Sequence, residues 1–329
     1  MSQPTDRRMD RLIHLLAENA TVVMPGPKIA SEIGVTRATV WVWIERLRSL
    51  GIEIQGYPAT GYQLRAVPDL LTPSLVRPEL GECELGKKIV HYFLTGSTNT
   101  VAMGLAANGA PHGTVVLAEE QSAGRGRFGR IWYSEKSTGI YCSIILRPNL
   151  SPSAAPILTL LAGLAGHHAI RKTTGLVTDI RWPNDLLING KKLGGILTEM
   201  NTELDRIHAV VLGLGLNVNH RSMPRDLRSI ATSLRIEGGR KYSRVHLLAA
   251  LLREIQRFYL LLQERGSAEI VRSWESVSSF ARGKRVRVLL NSGEAFGLTQ
   301  GLEPSGALRV RFEDGHEEAL ISGEVLELK

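Results

Sequence analysis

The stretch DIRWPNDLLINGKKLGGILTEM, residues 179–200, limits the possible folds more than any other. Two apolar runs flank Asn189-Gly190, a pair that tolerates the positive φ of a two-residue hairpin turn. An antiparallel strand pair is expected there, with Asn184 and Asp185 near its entry and Lys192 opening the returning strand. Gly194 and Gly195 lie inside that strand, where glycine costs stability. A ligand resting against the backbone accounts for them; so does a β-bulge. The next run, VVLGLGLNVN, reads as a further strand with small residues, ending at Asn217 and Asn219.

Around this hairpin, strand-like and helical runs alternate from about residue 87 to 280, apolar enough for a covered sheet. KIVHYFL predicts a strand, and the helix after it reaches Ala107. Ser97, Thr98 and Asn99 stand at that junction. Ser97 or Thr98 suits a helix cap, and the trio equally suits the polar head of a small ligand. TVVLAEEQ and GIYCSIILRP are two more strands, and a long apolar helix is expected from about Ser153. His167 and His168 sit on that helix without partners at metal spacing and read as structural.

Between those two strands lies GRGRFGRIWYSE, residues 124–135, which sets Arg125, Arg127 and Arg130 among glycines. Glycine lets a backbone approach a ligand closely, and guanidinium forks match phosphate and carboxylate oxygens. Gly124, Gly126 and Gly129 satisfy G-x-G-x-x-G, the dinucleotide fingerprint. That motif must open a helix, and Ile131-Trp132-Tyr133-Ser134 does not, so a dinucleotide site is rejected. The loop is expected to close over an anionic, activated intermediate.

At the N-terminus, Met9, Leu12, Ile13, Leu15 and Leu16 recur at helical spacing. Pro27 starts a second helix that buries Ile29, Ala30 and Ile33, and Gly34 supplies the turn. Thr36 caps a third helix with Val40, Ile44 and Leu47 on one face, ended by Gly51. IEIQGYPATGYQL adds two short strands around a Gly/Pro turn. This order resembles the winged helix-turn-helix DNA-binding domains, whose third helix enters the major groove. The resemblance implies DNA contacts from Thr36, Arg37, Thr39 and Trp43, phosphates near Arg46 and Arg48, and Trp41 in the core. A module that binds protein and not DNA is the alternative. Residues 67–86, with prolines at 68, 73 and 78, read as a linker with one short helical turn after Thr72.

From residue 281 the chain alternates strongly between turns at Asn291-Ser292-Gly293, Pro304-Ser305-Gly306 and Asp314-Gly315, the pattern of a small antiparallel barrel. The net charge of +8 favours anionic partners. Cys83 and Cys142 make neither a disulfide framework nor a metal cluster. No run approaches the ~18 continuous apolar residues of a membrane span, and MSQPTDRRMDR lacks a signal peptide's apolar core. A cytoplasmic protein is expected.

QSAGRGRFGRIW, RWPNDLLINGKKLGGIL and GLGLNVN, in this order after an STN turn, closely resemble the biotin–protein ligases. With the winged helix in front, the whole chain resembles the bifunctional type that also represses the biotin operon. The resemblance implies a multidomain α+β fold: a winged helix-turn-helix over residues 1–66, a linker over 67–86, a mixed α/β ligase domain of the biotin/lipoate type over 87–280, and an SH3-like barrel over 281–329. It implies formation of biotinyl-5'-AMP from biotin and ATP with Mg²⁺, then transfer to a lysine of the biotin carboxyl carrier protein. By resemblance, Ser97, Thr98, Asn99 and Gln121 contact biotin, Arg125, Gly126 and Arg127 clamp it, and Trp132 packs beside it. Lys192 touches carboxylate and α-phosphate, with Gly194 and Gly195 against the ligand. Arg127, Arg130, Asn184, Lys192 and Asn217 serve ATP, with Mg²⁺ near Asn184 and no metal cluster of the protein's own. Lys192, Arg127 and Asp185 form the catalytic set; Asp185 orients or deprotonates the acceptor lysine, or is a buried structural carboxylate. Operator DNA is a further partner, and a homodimer is expected when the adenylate is bound. No adenine-covering residue is recognisable between His220 and Ser233. The alternatives are a ligase without regulation and a small-molecule-sensing transcription factor without catalysis.

Overall fold

A computed structural model describes residues 3–203, 206–290 and 293–328. The first unit contains α1 (Arg7–Glu18), β1 (Val23–Met24), α2 (Gly26–Ile33), α3 (Arg37–Ser49), β2 (Ile54–Tyr57) and β3 (Gly61–Leu64). Each helix starts or stops for a local reason. Asp6 accepts from Arg8 N at the head of α1, Gly34 closes α2 in the left-handed region, and Thr36 Oγ1 accepts from Thr39 N at the head of α3. The strands pair in the order β1-β3-β2, so a wing follows the third helix. A Cβ on Gly61 would lie 2.0 Å from Met24 O, so only glycine lets the wing reach β1.

The tryptophans of α3 exchange the places expected of them. Trp41 is 56% exposed, whereas Trp43 packs on the apolar core of this unit. Val40, Ile44 and Leu47 define the buried stripe; residue 43 stands on its shoulder and residue 41 turns away from it. The linker also differs from expectation. It holds a two-turn helix, α4 (Pro73–Leu80), and Leu71, Val76, Leu80 and Leu85 are buried in the central core.

The central sheet contains β4 (Ile89–Tyr92), β5 (Val115–Ala118), β6 (Gly139–Leu146), β7 (Asp179–Arg181), β8 (Asp185–Ile188), β9 (Lys191–Glu203) and β10 (Arg206–Asn217). Their order is β4-β5-β6-β10-β9-β8-β7; β4 and β5 run parallel and every other pair antiparallel. The expected hairpin turn is present, with Asn189 at φ 50° and Gly190 at φ 73°. On one face lies α5 (Thr98–Ala107), whose Ala102 and Ala106 pack on Val116, Ile145 and Val211. The other face carries α6 (Ile157–Thr174), then, after a short α7 (Leu234–Gly238), α8 (Arg244–Arg265) and α9 (Ser267–Glu275). Helix α6 begins later than Ser153, after a single 3₁₀ turn. With that turn it is long and apolar enough to cross a membrane, but 72% of the apolar window is buried in this core.

The third sheet contains β11 (Arg282–Leu290), β12 (Gly293–Leu302), β13 (Leu308–Phe312), β14 (Glu317–Leu320) and β15 (Glu324–Glu327). It is antiparallel in the order β14-β13-β12-β11-β15. Its inner residues Val286, Val288, Val310 and Val325 join the central core. The expected barrel is not closed: among the described residues no ladder joins β14 to β15. Residues 321–323 nevertheless connect these two edges. Such a link spans roughly 14 Å at most, while a flat sheet of this width would separate its edges by about 19 Å. The sheet therefore rolls without closing. Asn291 and Ser292 of the turn expected there lie outside the described residues.

Candidate active site

A cavity of about 710 Å³ opens on the α5 side of the central sheet. Side chains alternate across a strand, so Gly213 and Gly215 of β10 share this face with Gly195 of β9, directly opposite Gly215. Each is a glycine for a spatial reason. A Cβ on Gly213 would lie 2.0 Å from Asn99 Oδ1, and one on Gly215 2.4 Å from Trp132 Cε2. One on Gly195 would lie 3.2 Å from both Trp132 Cζ3 and Lys192 Cε. The floor is thus bare backbone under the Trp132 ring. Gly194 belongs elsewhere: it faces Leu216 and Leu186 in the core behind the sheet, at a register shift between Leu186 and Leu187. Crowding by Leu216 and the Gly215 carbonyl, 3.0 and 3.1 Å from a Cβ, accounts for Gly194, and the pocket for Gly195.

One end of the cavity is polar. Ser97 stands at the N-cap position of α5, but its hydroxyl makes no capping bond. Thr98 N donates to Gln121 Oε1 at 2.8 Å, and Gln121 Nε2 donates to Ser134 Oγ at 2.9 Å. Asn99 Nδ2 donates to Glu199 Oε2 at 2.9 Å and to Leu197 O at 3.2 Å, while Ser143 Oγ donates to Asn99 Oδ1 at 2.6 Å. These bonds fix side chains that would otherwise sample several rotamers. Among the described residues the buried indole Nε1 of Trp132 has no partner, which leaves a donor free for a ligand.

The charged centre lies where β8 meets β9. Lys192 Nζ is 2.6 Å from Asp185 Oδ1, and Arg181 Nη2 is 2.7 Å from Oδ2. Burial alone would raise the Asp185 carboxyl, but Lys192 and Arg181 hold it below the ordinary carboxylate range. The backbone of Lys192 is gripped on both sides: its N–H donates to Ile230 O and its carbonyl accepts from Thr232 N. Lys192 Nζ also stands 5.6 Å from the centre of the Trp132 ring.

The arginine loop folds back on itself, with Arg125 bridged to Ile131 and Phe128 at φ 55°. All three guanidinium groups have partners. Arg125 Nη2 meets Glu199 Oε1 at 2.6 Å, and Arg127 Nη1 reaches Gly323 O at 3.0 Å and Asn184 Oδ1 at 3.3 Å. Arg130 forms a two-pronged pair with Glu324 at 2.9 and 2.5 Å. Phe128 and Ile131 are 60% and 86% exposed.

The structure brings together Ser97, Thr98, Asn99, Gln121, Arg125, Gly126, Arg127, Arg130, Trp132, Asn184, Asp185, Lys192, Gly195 and Asn217 around one cavity. Asn217 is turned to a supporting task, donating to Thr232 O at 3.0 Å. Sequence reasoning missed Gly213 and Gly215, whose alternation with buried leucines was the available signal, and Ser143, which had none. It also missed Met223, Leu227, Ser229 and Ile230, which line the cavity from an irregular segment and carry no periodic signal. On α3, Thr36 and Arg37 are exposed, Thr39 is half-buried, and the hydroxyls of Thr36 and Thr39 bond at 2.9 Å.

A bare-floored sheet pocket beneath a polar helix start, with a helix-turn-helix attached, defines a class of ligase joined to a DNA-binding module. The Biotin/lipoate A/B protein ligase family matches residues 91–217, an HTH domain residues 8–63, and the biotin protein ligase C-terminal domain residues 282–326. The chain is 38% identical to the bifunctional ligase/repressor BirA of Bacillus spizizenii, over 92% of this chain and 94% of that protein. It is 34% identical to the biotin–[acetyl-CoA-carboxylase] ligase of Mycobacterium tuberculosis, over 71% of this chain and 87% of that one. The Aquifex aeolicus biotin protein ligase, solved in complex with biotin and ATP, superposes with a TM-score of 0.63 at 28% identity, covering 73% of this chain and 97% of that chain. The chain belongs to the bifunctional ligase/repressor family of biotin–protein ligases.

Proposed function

We propose that this protein joins biotin to ATP and passes the biotinyl group to a lysine of the biotin carboxyl carrier protein. In the first step a biotin carboxylate oxygen attacks the α-phosphorus of MgATP, the α–β bond breaks, and pyrophosphate leaves. In the second, the acceptor ε-amine attacks the acyl carbon and AMP leaves. The observation that carries this reading is the Lys192 ammonium. It stands 2.6 Å from Asp185, with the Trp132-covered floor on one side and Arg127 bonded to the neighbouring Asn184 on the other. A fixed cation there offsets the repulsion between carboxylate and phosphate and the charge gathered in the transition state.

On this reading Ser97, Thr98, Asn99 and Gln121 hold the biotin ring, Gly195 and Trp132 sandwich it, and Arg125, Gly126 and Arg127 clamp its acyl end. Asn184, Asn217 and Arg130 attend the nucleotide; Met223, Leu227 and Ile230 supply the apolar wall for adenine. Mg²⁺ arrives with ATP, held by the phosphates and water near Asn184. The acceptor lysine gives its ammonium proton to water before it attacks, and the proton shed on forming the amide leaves with AMP or water. Asp185, held below the ordinary carboxylate range, orients the free ε-amine by accepting from its N–H; so firm an anion is a poor proton acceptor. We assign the rolled C-terminal sheet to the SH3-like type and the protein to the cytoplasm, where ATP and carrier protein meet.

The same adenylate serves as corepressor in this account. Ordering the loop covers Phe128 and Ile131 against a second copy, and the paired third helices place Thr36, Arg37 and Thr39 on an operator. Purified protein given biotin, MgATP and a carrier domain should yield carrier that binds streptavidin, and Lys192→Ala should not. Unlabelled carrier in the presence of folded wild-type protein would reject the ligase reading. Light scattering with and without biotin and ATP tests the dimer.

A further inference from the structure

The C-terminal sheet meets the arginine loop at the turn that leads into β15. Gly323 there has φ +138°, a region that favours glycine, and its carbonyl accepts from Arg127 Nη1 at 3.0 Å. A Cβ at this position would also crowd Leu289 O at 3.2 Å. The next residue, Glu324, grips Arg130 with both oxygens at 2.9 and 2.5 Å. Its carboxyl is held below its usual range by that bond. Two consecutive residues of one domain thus hold two of the three loop arginines of another. The loop's own backbone bonds, Gly126 N to Arg130 O and Arg130 N to Arg127 O, close the finger, and its side-chain ties to the central domain are Arg125 to Glu199 at 2.6 Å and Arg127 to Asn184 at 3.3 Å.

We infer that Glu324, with the Gly323 carbonyl, is a positioning residue that latches the arginine loop over the pocket and so slows escape of the activated acyl adenylate. Glu324 acts through Arg130 and need not touch the reacting atoms. A two-pronged arginine–carboxylate pair fixes the plane of the guanidinium as well as its distance, which a single contact does not. Arg130 is 61% exposed and Glu324 19%, so water screens the pair and its effect is modest. A modest latch suits a loop that must open each time an acceptor lysine enters. The inference rests on the ligase reading for its ligand, but not for the latch itself.

The loop carries its own reporter, since trypsin cuts after Arg125, Arg127 and Arg130. In ligand-free protein Glu324→Gln should raise the rate of loop cleavage by about two- to fivefold, the scale of a half-exposed ion pair. Glu327→Gln removes a carboxylate from the same strand, where it pairs with Lys284 at 2.6 Å, and should leave that rate alone. With biotin and MgATP, Glu324→Gln should release adenylate and label non-target lysines faster by a similar factor. The exchanged pair, Arg130→Glu with Glu324→Arg, should restore slow cleavage relative to either single change. Equal cleavage of wild type and Glu324→Gln, or equal acceleration by Glu327→Gln, would overturn the latch. A latch seen by trypsin in a protein that makes no adenylate would instead count against the ligase reading alone.

Discussion

The floor of the pocket and the loop above it are held by different physics. The floor admits no side chain: Gly213 and Gly215 stand where a Cβ would lie within 2.0 and 2.4 Å of Asn99 and Trp132. The loop is held by ion pairs to Glu199 and Glu324 and a bond to a backbone carbonyl, all of which water or phosphate can replace. Packing is unforgiving over tenths of an ångström, whereas a surface ion pair is worth about 1 kcal/mol or less. The floor sets what is bound, and the loop sets how long it stays.

The largest effect belongs to the charge between them. Lys192→Ala should lower adenylate formation by on the order of a thousandfold, read by pyrophosphate exchange. It should also cost about 1–3 kcal/mol in a thermal or urea melt, because buried Asp185 loses one of the two cations that pair with it and keeps Arg181. A floor substitution comes next. Gly215→Ala should weaken biotin binding by about a hundredfold in calorimetry, since the Trp132 ring must leave its place. Normal affinity in that variant would break the contrast with the loop.

Acid should act on the base of the loop. Burial, and then the Arg244 charge, push the buried His220 imidazole from 6.5 down to about 4. As pH falls from 6.5 towards 4 the unfolded chain takes up this proton and the folded one does not. Stability present above 6.5 is therefore lost across that window, by on the order of 2–3 kcal/mol. Urea melts at several pH values read the slope, and His220→Asn should flatten it. His220 packs 5.8 Å from Tyr133, which adjoins Trp132, so its protonation loosens the loop's anchor. A smaller change is Arg127→Gly, which should raise adenylate release and off-target labelling by about tenfold while biotin affinity shifts less. Equal losses of affinity and retention would merge floor and loop into one unit.

Much of this division is legible in the amino-acid sequence. Asn189-Gly190 demands a turn with two positive φ values, and arginines among glycines cannot form a strand or a helix core, so hairpin and loop follow from local chemistry. What escapes is set by tertiary distance. The need for Gly213 and Gly215 arises from Asn99 and Trp132, remote in the chain. Ser143 looks like one small residue in an apolar strand until its pairing opposite Gly213 puts it beneath Asn99. Gly194 and Gly195 must face opposite ways by strand alternation, but which of the two faces the pocket is set by the register of β9 against β10. Residues 67–86 resemble a tether because their apolar positions follow no period, yet Asp69 pairs with the fully buried Arg244 of α8. The C-terminal strands alternate identically in a closed barrel and an open roll; closure depends on a pairing that periodicity does not encode.

The most direct test of the central claim is exchange of labelled pyrophosphate into ATP by purified protein with Mg²⁺ and no acceptor. Exchange that needs biotin, is not supported by lipoate and disappears in Lys192→Ala is the predicted result. No exchange from folded protein, or exchange indifferent to Lys192, would contradict it.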